Sequence, residues 1–184
     1  PSEKVGFNKD GYLLLSGDNH KSYSYYLKEG KIYNSANTPV EGYEVDAYFN
    51  ISGPNGINTN LFCEDSPYKV VRTGYLYLTS SKDGGSTWSE PTLLNVKTSS
   101  ERVCLVAPGS SITTSSGTMI FPVYSYHGDN DASGNTQRLS FIYSNDGENW
   151  SRSSEFNYNW ASEAAVVELT NGSLRFFFRN GTEK

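Results

Sequence analysis

Short apolar or alternating runs, each bounded by Gly, Asn, Asp or Pro, recur along this chain, and helical periodicity is hard to find. Tyr12 to Leu15, Lys31 to Tyr33, Tyr75 to Thr79, Thr118 to Val123, Leu139 to Tyr143, Ala165 to Leu169 and Ser173 to Arg179 are read as strands. Between them stand Asn8-Lys9-Asp10-Gly11, Lys28-Glu29-Gly30-Lys31, Asp83-Gly84-Gly85, Asn145-Asp146-Gly147 and Thr170-Asn171-Gly172-Ser173. These supply the positive-φ residues that tight and bulged hairpins demand. The pattern predicts an all-β protein joined mostly by antiparallel hairpins.

The stretch up to Phe62 is rich in Tyr and short strands, and near its end lies the turn-rich run Ser52-Gly53-Pro54-Asn55-Gly56. A module boundary is placed there, giving residues 1–62 and 63–184. From Asp65 onward the order is strand, hairpin, strand, long loop, two strands, hairpin, two strands. That order is similar to consecutive blades of a β-propeller, and two to three blades fit in the length.

Composition narrows the ligand. A length of 184 residues suits one ordinary domain, or a small domain joined to part of a larger one. The 20 acidic and 15 basic residues are interspersed, for a net charge of −5, which argues against nucleic acid and anionic membranes as main partners. With 14 Tyr, a single Met and abundant Gly, Ser, Thr and Asn, the chain has the make-up of strand-and-turn proteins whose clefts bind sugars. No apolar run approaches the roughly 20 residues of a membrane span, so no membrane insertion is expected. Cys63 and Cys104 each have apolar residues on at least one side and are read as buried free thiols. His20 and His127 are isolated from clustered carboxylates in sequence; they are read as surface histidines, without metal-ligand spacing.

Ser81-Lys82-Asp83-Gly84-Gly85-Ser86-Thr87-Trp88 fits S-x-D-x-G-x-T-W, and a copy shorter by one residue follows at Ser144-Asn145-Asp146-Gly147-Glu148-Asn149-Trp150. The candidate positions are Ser81, Asp83, Gly85, Thr87 and Trp88, then Ser144, Asp146 and Trp150. The Asp carboxylate accepts backbone N–H bonds across the turn, Gly takes a positive φ, and the Trp ring is expected to plug the space between strands. The missing residue requires the second turn to be built differently. This pattern resembles the Asp-box of sialidases. In that family the boxes lie away from the catalytic face, and they also occur in propellers without glycosidase activity, so they speak for architecture.

Chemistry is carried by the last strands. Ala161-Ser162-Glu163-Ala164-Ala165-Val166-Val167-Glu168-Leu169, the turn Thr170 to Ser173, and Leu174-Arg175-Phe176-Phe177-Phe178-Arg179-Asn180 resemble a segment of bacterial sialidases of glycoside hydrolase family 33. Ser66-Pro67-Tyr68, Gly74-Tyr75-Leu76-Tyr77, Ser89-Glu90-Pro91, Leu105-Val106-Ala107-Pro108-Gly109 and Phe121-Pro122-Val123-Tyr124 extend the resemblance to members with an inserted β-domain. It implies a partial six-bladed β-propeller of about two blades plus that insertion. It implies that Glu163 contacts a catalytic tyrosine, that Arg179 grips the sialic acid carboxylate, and that Tyr124 and Gln137 line the glycerol and N-acyl side of the pocket. No cofactor and no metal are implied. The partners would be sialylated glycans and the remaining segments of the same sialidase, at a secreted or cell-surface location.

One departure stands out. The R-I-P arginine, the acid/base aspartate, a third arginine and the tyrosine nucleophile of the family have no counterpart in these residues. The chain therefore resembles the middle third of such an enzyme. Hydrolysis and intramolecular trans-sialylation both fit it, and so does a non-catalytic glycan-binding propeller; Glu163 and Arg179 argue against the last.

Overall fold

A computed structural model of the chain describes residues 6–17, 22–98, 101–127, 137–156, 158 and 161–181. Among these residues the regular structure is strands apart from one short 3-10 turn. The chain divides into two compact units, one made of Pro1–Thr73 and Tyr77–Leu93, the other of Gly74–Leu76 and Leu94–Lys184.

The first unit holds β1 (Leu13–Ser16), β2 (Tyr25–Lys28), β3 (Lys31–Asn34), β4 (Glu44–Val45), β5 (Asn50–Gly53), β6 (Ile57–Asn60) and β7 (Lys69–Val70). One sheet runs β3-β2-β1-β7 and a second β4-β5-β6. Glu29 and Gly30, at φ 50° and 74°, close the β2–β3 hairpin in two residues, the tight mirror-image turn that the Lys28-to-Lys31 pattern predicts. The run at Pro54–Gly56 is the turn that joins β5 to β6. Leu15, Ile32, Ile51 and Leu61 are wholly buried and supply the apolar interior. Cys63, read above as buried, is exposed, because it sits in the turn after Asn60 and not on a core-facing strand.

β8 (Leu76–Leu78) and β9 (Thr92–Leu94) pair as a hairpin closed by Ser81–Trp88. Asp83 accepts from Thr87 N at 2.9 Å and Thr87 Oγ1 at 2.6 Å, and Ser81 Oγ accepts from Gly85 N at 2.7 Å. The Thr87 hydroxyl and backbone N–H, and the Ser81 hydroxyl, hold the Asp83 carboxyl down at about 2. Trp88 does not plug an interior: it is 61% exposed, and its ring lies over Gly85 in its own turn.

The second unit continues with β10 (Glu101–Val106), β11 (Ile112–Thr113), β12 (Met119–His127), β13 (Arg138–Ser144), β14 (Ser151–Arg152), β15 (Ala161–Glu168) and β16 (Leu174–Asn180). β10-β12-β13-β14 form an antiparallel meander with β11 beside the start of β12, and β15-β16 form a separate hairpin. A four-stranded meander is one propeller blade, so this unit is part of a β-propeller. β10 lies inside what the pattern presented as a long loop. Its first residue, Glu101, is fully buried because Arg152 neutralises it. The β13–β14 turn is rebuilt as its shorter length requires. Asn149 Nδ2 donates to Asp146 Oδ2 at 2.8 Å, in place of the Thr87 hydroxyl of the first turn. Trp150 does act as a plug, edge-on to Phe121 with centroids 5.4 Å apart, and its Nε1 donates to Gly147 O.

Candidate functional site

The sequence-predicted site residues come from three strands of the second unit and the position just before a fourth. Tyr124 lies on β12, Gln137 immediately before β13, Glu163 on β15 and Arg179 on β16. Register gathers them at one end of the sheets: Tyr124 pairs with Leu139, Ser125 with Arg138 and Ser162 with Arg179. Below them Ala107, Leu139, Ala161 and Ala164 form a buried cluster against which Tyr124, Phe156 and Phe178 pack. The alanines let the β15 backbone come close to its neighbours.

Glu163 occupies a β-bulge. The β15–β16 register shifts between Ser162 and Ala165, and Glu163 itself stands at φ 48°. Such a conformation in a non-glycine strand residue stores strain, and bulges of this kind re-aim side chains. The neighbouring chain braces it. A Cβ on Gly109 would collide with the Ala164 carbonyl, so only glycine permits this approach, and Val166 N donates to Ser110 O at 3.3 Å. The re-aimed Glu163 Oε2 lies 3.1 Å from Arg179 Nε, with both side chains open to solvent. Tyr124 is close enough to feel both. Burial, Tyr126 and the Glu163 carboxylate push its phenol above the usual range, and Arg179 pulls it back. Gln137 is buried, and its Nε2 donates to Tyr126 Oη at 3.2 Å. The result is an open, mixed-charge corner: one carboxylate able to take a proton, one guanidinium able to face an anion, and two polar groups on a tyrosine wall.

The opposite face of β12 holds a polar cluster that sequence reading missed. Arg152 Nη1 donates to Glu101 Oε2 at 2.8 Å and Nη2 to Oε1, while Nε donates to Ser140 Oγ at 2.9 Å. Glu101 Oε2 also accepts from Thr98 N at 2.6 Å. His127, read above as an isolated surface residue, is largely buried, with Nε2 2.7 Å from Glu155 Oε1; His20 lies outside the described residues. Ligand atoms of Glu101, His127 and Glu155 fall within 4.8 Å of one another. They suit a cation poorly, since the Arg152 guanidinium already neutralises Glu101. No local sequence signal joins residues 51 positions apart such as Glu101 and Arg152.

Comparison with known proteins places this geometry. Residues 58–184 match the model of the BNR repeat-like domain family. The chain belongs to that family. It is 29% identical over 95% of its length to the anhydrosialidase of Macrobdella decora, and 28% identical over 91% to sialidase B of Streptococcus pneumoniae. It spans about a quarter of those relatives, 26% and 27% of their lengths. A structure of the intramolecular trans-sialidase from Ruminococcus gnavus with oseltamivir carboxylate superposes with a TM-score of 0.81 at 28% identity, covering 98% of this chain and 43% of that one. The leech intramolecular trans-sialidase complexed with 2,7-anhydro-Neu5Ac gives the same TM-score and identity, over 98% of this chain and 31% of that one. These relatives and structures are sialidases and intramolecular trans-sialidases, and the chain matches only part of each. Among the described residues no helix is long and apolar enough to cross a membrane.

Proposed function

We propose that this chain forms the central part of a secreted or surface-bound exo-sialidase that cleaves terminal sialic acid from glycoconjugates with retention. Residues 1–62 correspond to the inserted β-domain and 63–184 to the partial propeller, whose Ser81–Trp88 and Ser144–Trp150 turns are structural Asp-boxes. The observation that carries the reading is the strained bulge that holds Glu163 beside Arg179 and Tyr124. A solvated strand-end glutamate has no need of a positive φ.

Sialic acid bears a carboxylate next to its anomeric carbon, and a carboxylate nucleophile would meet that anion at close range. A tyrosine avoids the repulsion, which is why sialidases depart from the two-carboxylate scheme. The phenol, with an ordinary pKa of ~10, needs a base. Glu163 takes its proton as the phenol oxygen bonds to the anomeric carbon, and the glycosidic bond breaks with protonation of the departing oxygen by the acid/base aspartate. Arg179 holds the substrate carboxylate with its planar fork, and Tyr124 and Gln137 line the side that receives the glycerol and N-acyl groups. The nucleophile, the acid/base group and the other arginines lie outside these 184 residues, which are accordingly inert by themselves.

The test is kinetic. In the full-length enzyme Glu163→Gln should lower kcat by about 10²- to 10⁴-fold with little change in KM. Arg179→Lys should raise KM, and weaken carboxylate-bearing inhibitors in parallel. Near-normal kinetics in both variants, or turnover of a fluorogenic sialoside by the 184 residues alone, would sink the assignment.

A second reading is favoured by the two structures at TM-score 0.81, both of intramolecular trans-sialidases. In it an internal hydroxyl of the sialic acid, not water, displaces the tyrosine. Mass spectrometry of the product from sialyllactose separates the two outcomes, since the internal product is lighter by one water.

A further inference from the structure

Tyr126 stands between two residues of the proposed pocket and has no role assigned to it. It lies two positions after Tyr124 on the same face of β12, and the two rings meet edge-on with centroids 6.1 Å apart. Its Oη accepts the hydrogen bond from Gln137 Nε2, and Gln137 is only 8% exposed. A glutamine amide has a donor end and an acceptor end, and what it recognises depends on which end faces the ligand. With Nε2 committed to Tyr126, the carbonyl Oε1 is the end left to meet a sugar, and it takes O–H or N–H donors.

We propose that Tyr126 is a positioning residue that fixes the Gln137 amide, so that the pocket presents a hydrogen-bond acceptor to a donor group of the bound sialic acid. The assignment rests on the sialidase reading above. Its consequence is recognition of a sugar with hydroxyl or amide N–H donors on that side, at little cost in ordering, because the amide is oriented before the ligand arrives.

The test uses the full-length enzyme with a fluorogenic sialoside. Tyr126→Phe keeps the ring and its packing on Tyr124 but removes the acceptor, and it should raise KM about 3- to 10-fold at nearly constant kcat. Gln137→Met should raise KM at least as much, and the double variant should be no worse than Gln137→Met alone, since Tyr126 acts only through Gln137. A merely structural Tyr126 would lower the melting temperature without this KM-against-kcat split. Unchanged KM in Tyr126→Phe, or independent addition of the two effects, overturns the assignment while leaving the sialidase reading intact. Absence of sialoside turnover in the unsubstituted enzyme overturns both.

Discussion

Two Glu–Arg pairs lie in the same compact unit, and they differ in every respect that matters. Glu101 and Arg152 have side chains 0% and 8% exposed and meet through both terminal guanidinium nitrogens; Glu163 and Arg179 are 42% and 64% exposed, with Oε2 3.1 Å from Nε. The first pair is saturated by further bonds to Thr98 N and Ser140 Oγ. The second sits on a strained bulge with both side chains open to solvent. Taking charges out of water costs several kcal/mol per ion, on the order of what good geometry returns, so a buried pair specifies a structure. An exposed pair adds little stability, so under the proposed function its strained setting serves substrate and not the fold.

The comparison breaks most clearly at the arginines. Arg152→Met leaves the Glu101 carboxylate buried without its partner and should cost about 3 to 5 kcal/mol. Arg179→Met should cost less than about 1 kcal/mol and act on substrate binding instead. Urea unfolding of the full-length enzyme checks both; similar losses for the two variants would show that the pairs are not the different objects described.

The bulge offers the next test. Gly109→Ala places a methyl against the Ala164 carbonyl, and the backbone that aims Glu163 must shift. We expect a stability loss of about 1 to 3 kcal/mol together with a fall in kcat that exceeds any change in KM. Unaltered kcat at reduced stability would mean that Gly109 supports the sheet but not the aim of Glu163.

How much of this was legible in the sequence follows from the range of each signal. Strand positions such as Leu139 to Tyr143 and turns such as Glu29-Gly30 are written in near neighbours, and they form where the pattern places them. Glu163 and Arg179 were singled out by resemblance, and the 3.1 Å contact between them reflects cross-strand register around a hairpin, which is nearly local. β10 escapes the sequence pattern because it opens on Glu101, whose burial depends on Arg152 far along the chain. Tyr126 gave no signal of its own, since nothing near it announces Gln137 eleven positions on. Trp88 and Trp150 occupy like places in two similar motifs, yet only Trp150 has a Phe121 to pack against. That difference belongs to the neighbouring strand, not to the motif.

The smallest effect sharpens the picture of the buried pair. Lys97 lies beside it, with its Nζ 4.9 Å from the Tyr75 ring centroid. Burial pulls its pKa from the ordinary 10.5 down to about 8, against the opposing pull of Cys104 and Glu101. Below about pH 8 the ammonium is charged in both folded and unfolded chains, and the folded state bears the full cost of burying it. Between about 8 and 10.5 the folded chain releases its proton first, the unfolded chain binds more, and stability rises with pH. Burial pushes the Cys104 thiol up to about 11 from 9.0, which works in the opposite direction above pH 9. The rise due to Lys97 is therefore cleanest between about pH 8 and 9. Lys97→Met should abolish it and raise stability near neutral pH by about 1 to 3 kcal/mol, reduced by whatever attraction to Glu101 and Tyr75 is lost. Unfolding midpoints measured from about pH 7 to 9 decide the matter: a variant that keeps the rise, or is less stable than the parent near pH 7, would show that the ammonium helps neutralise Glu101 rather than burdening the fold.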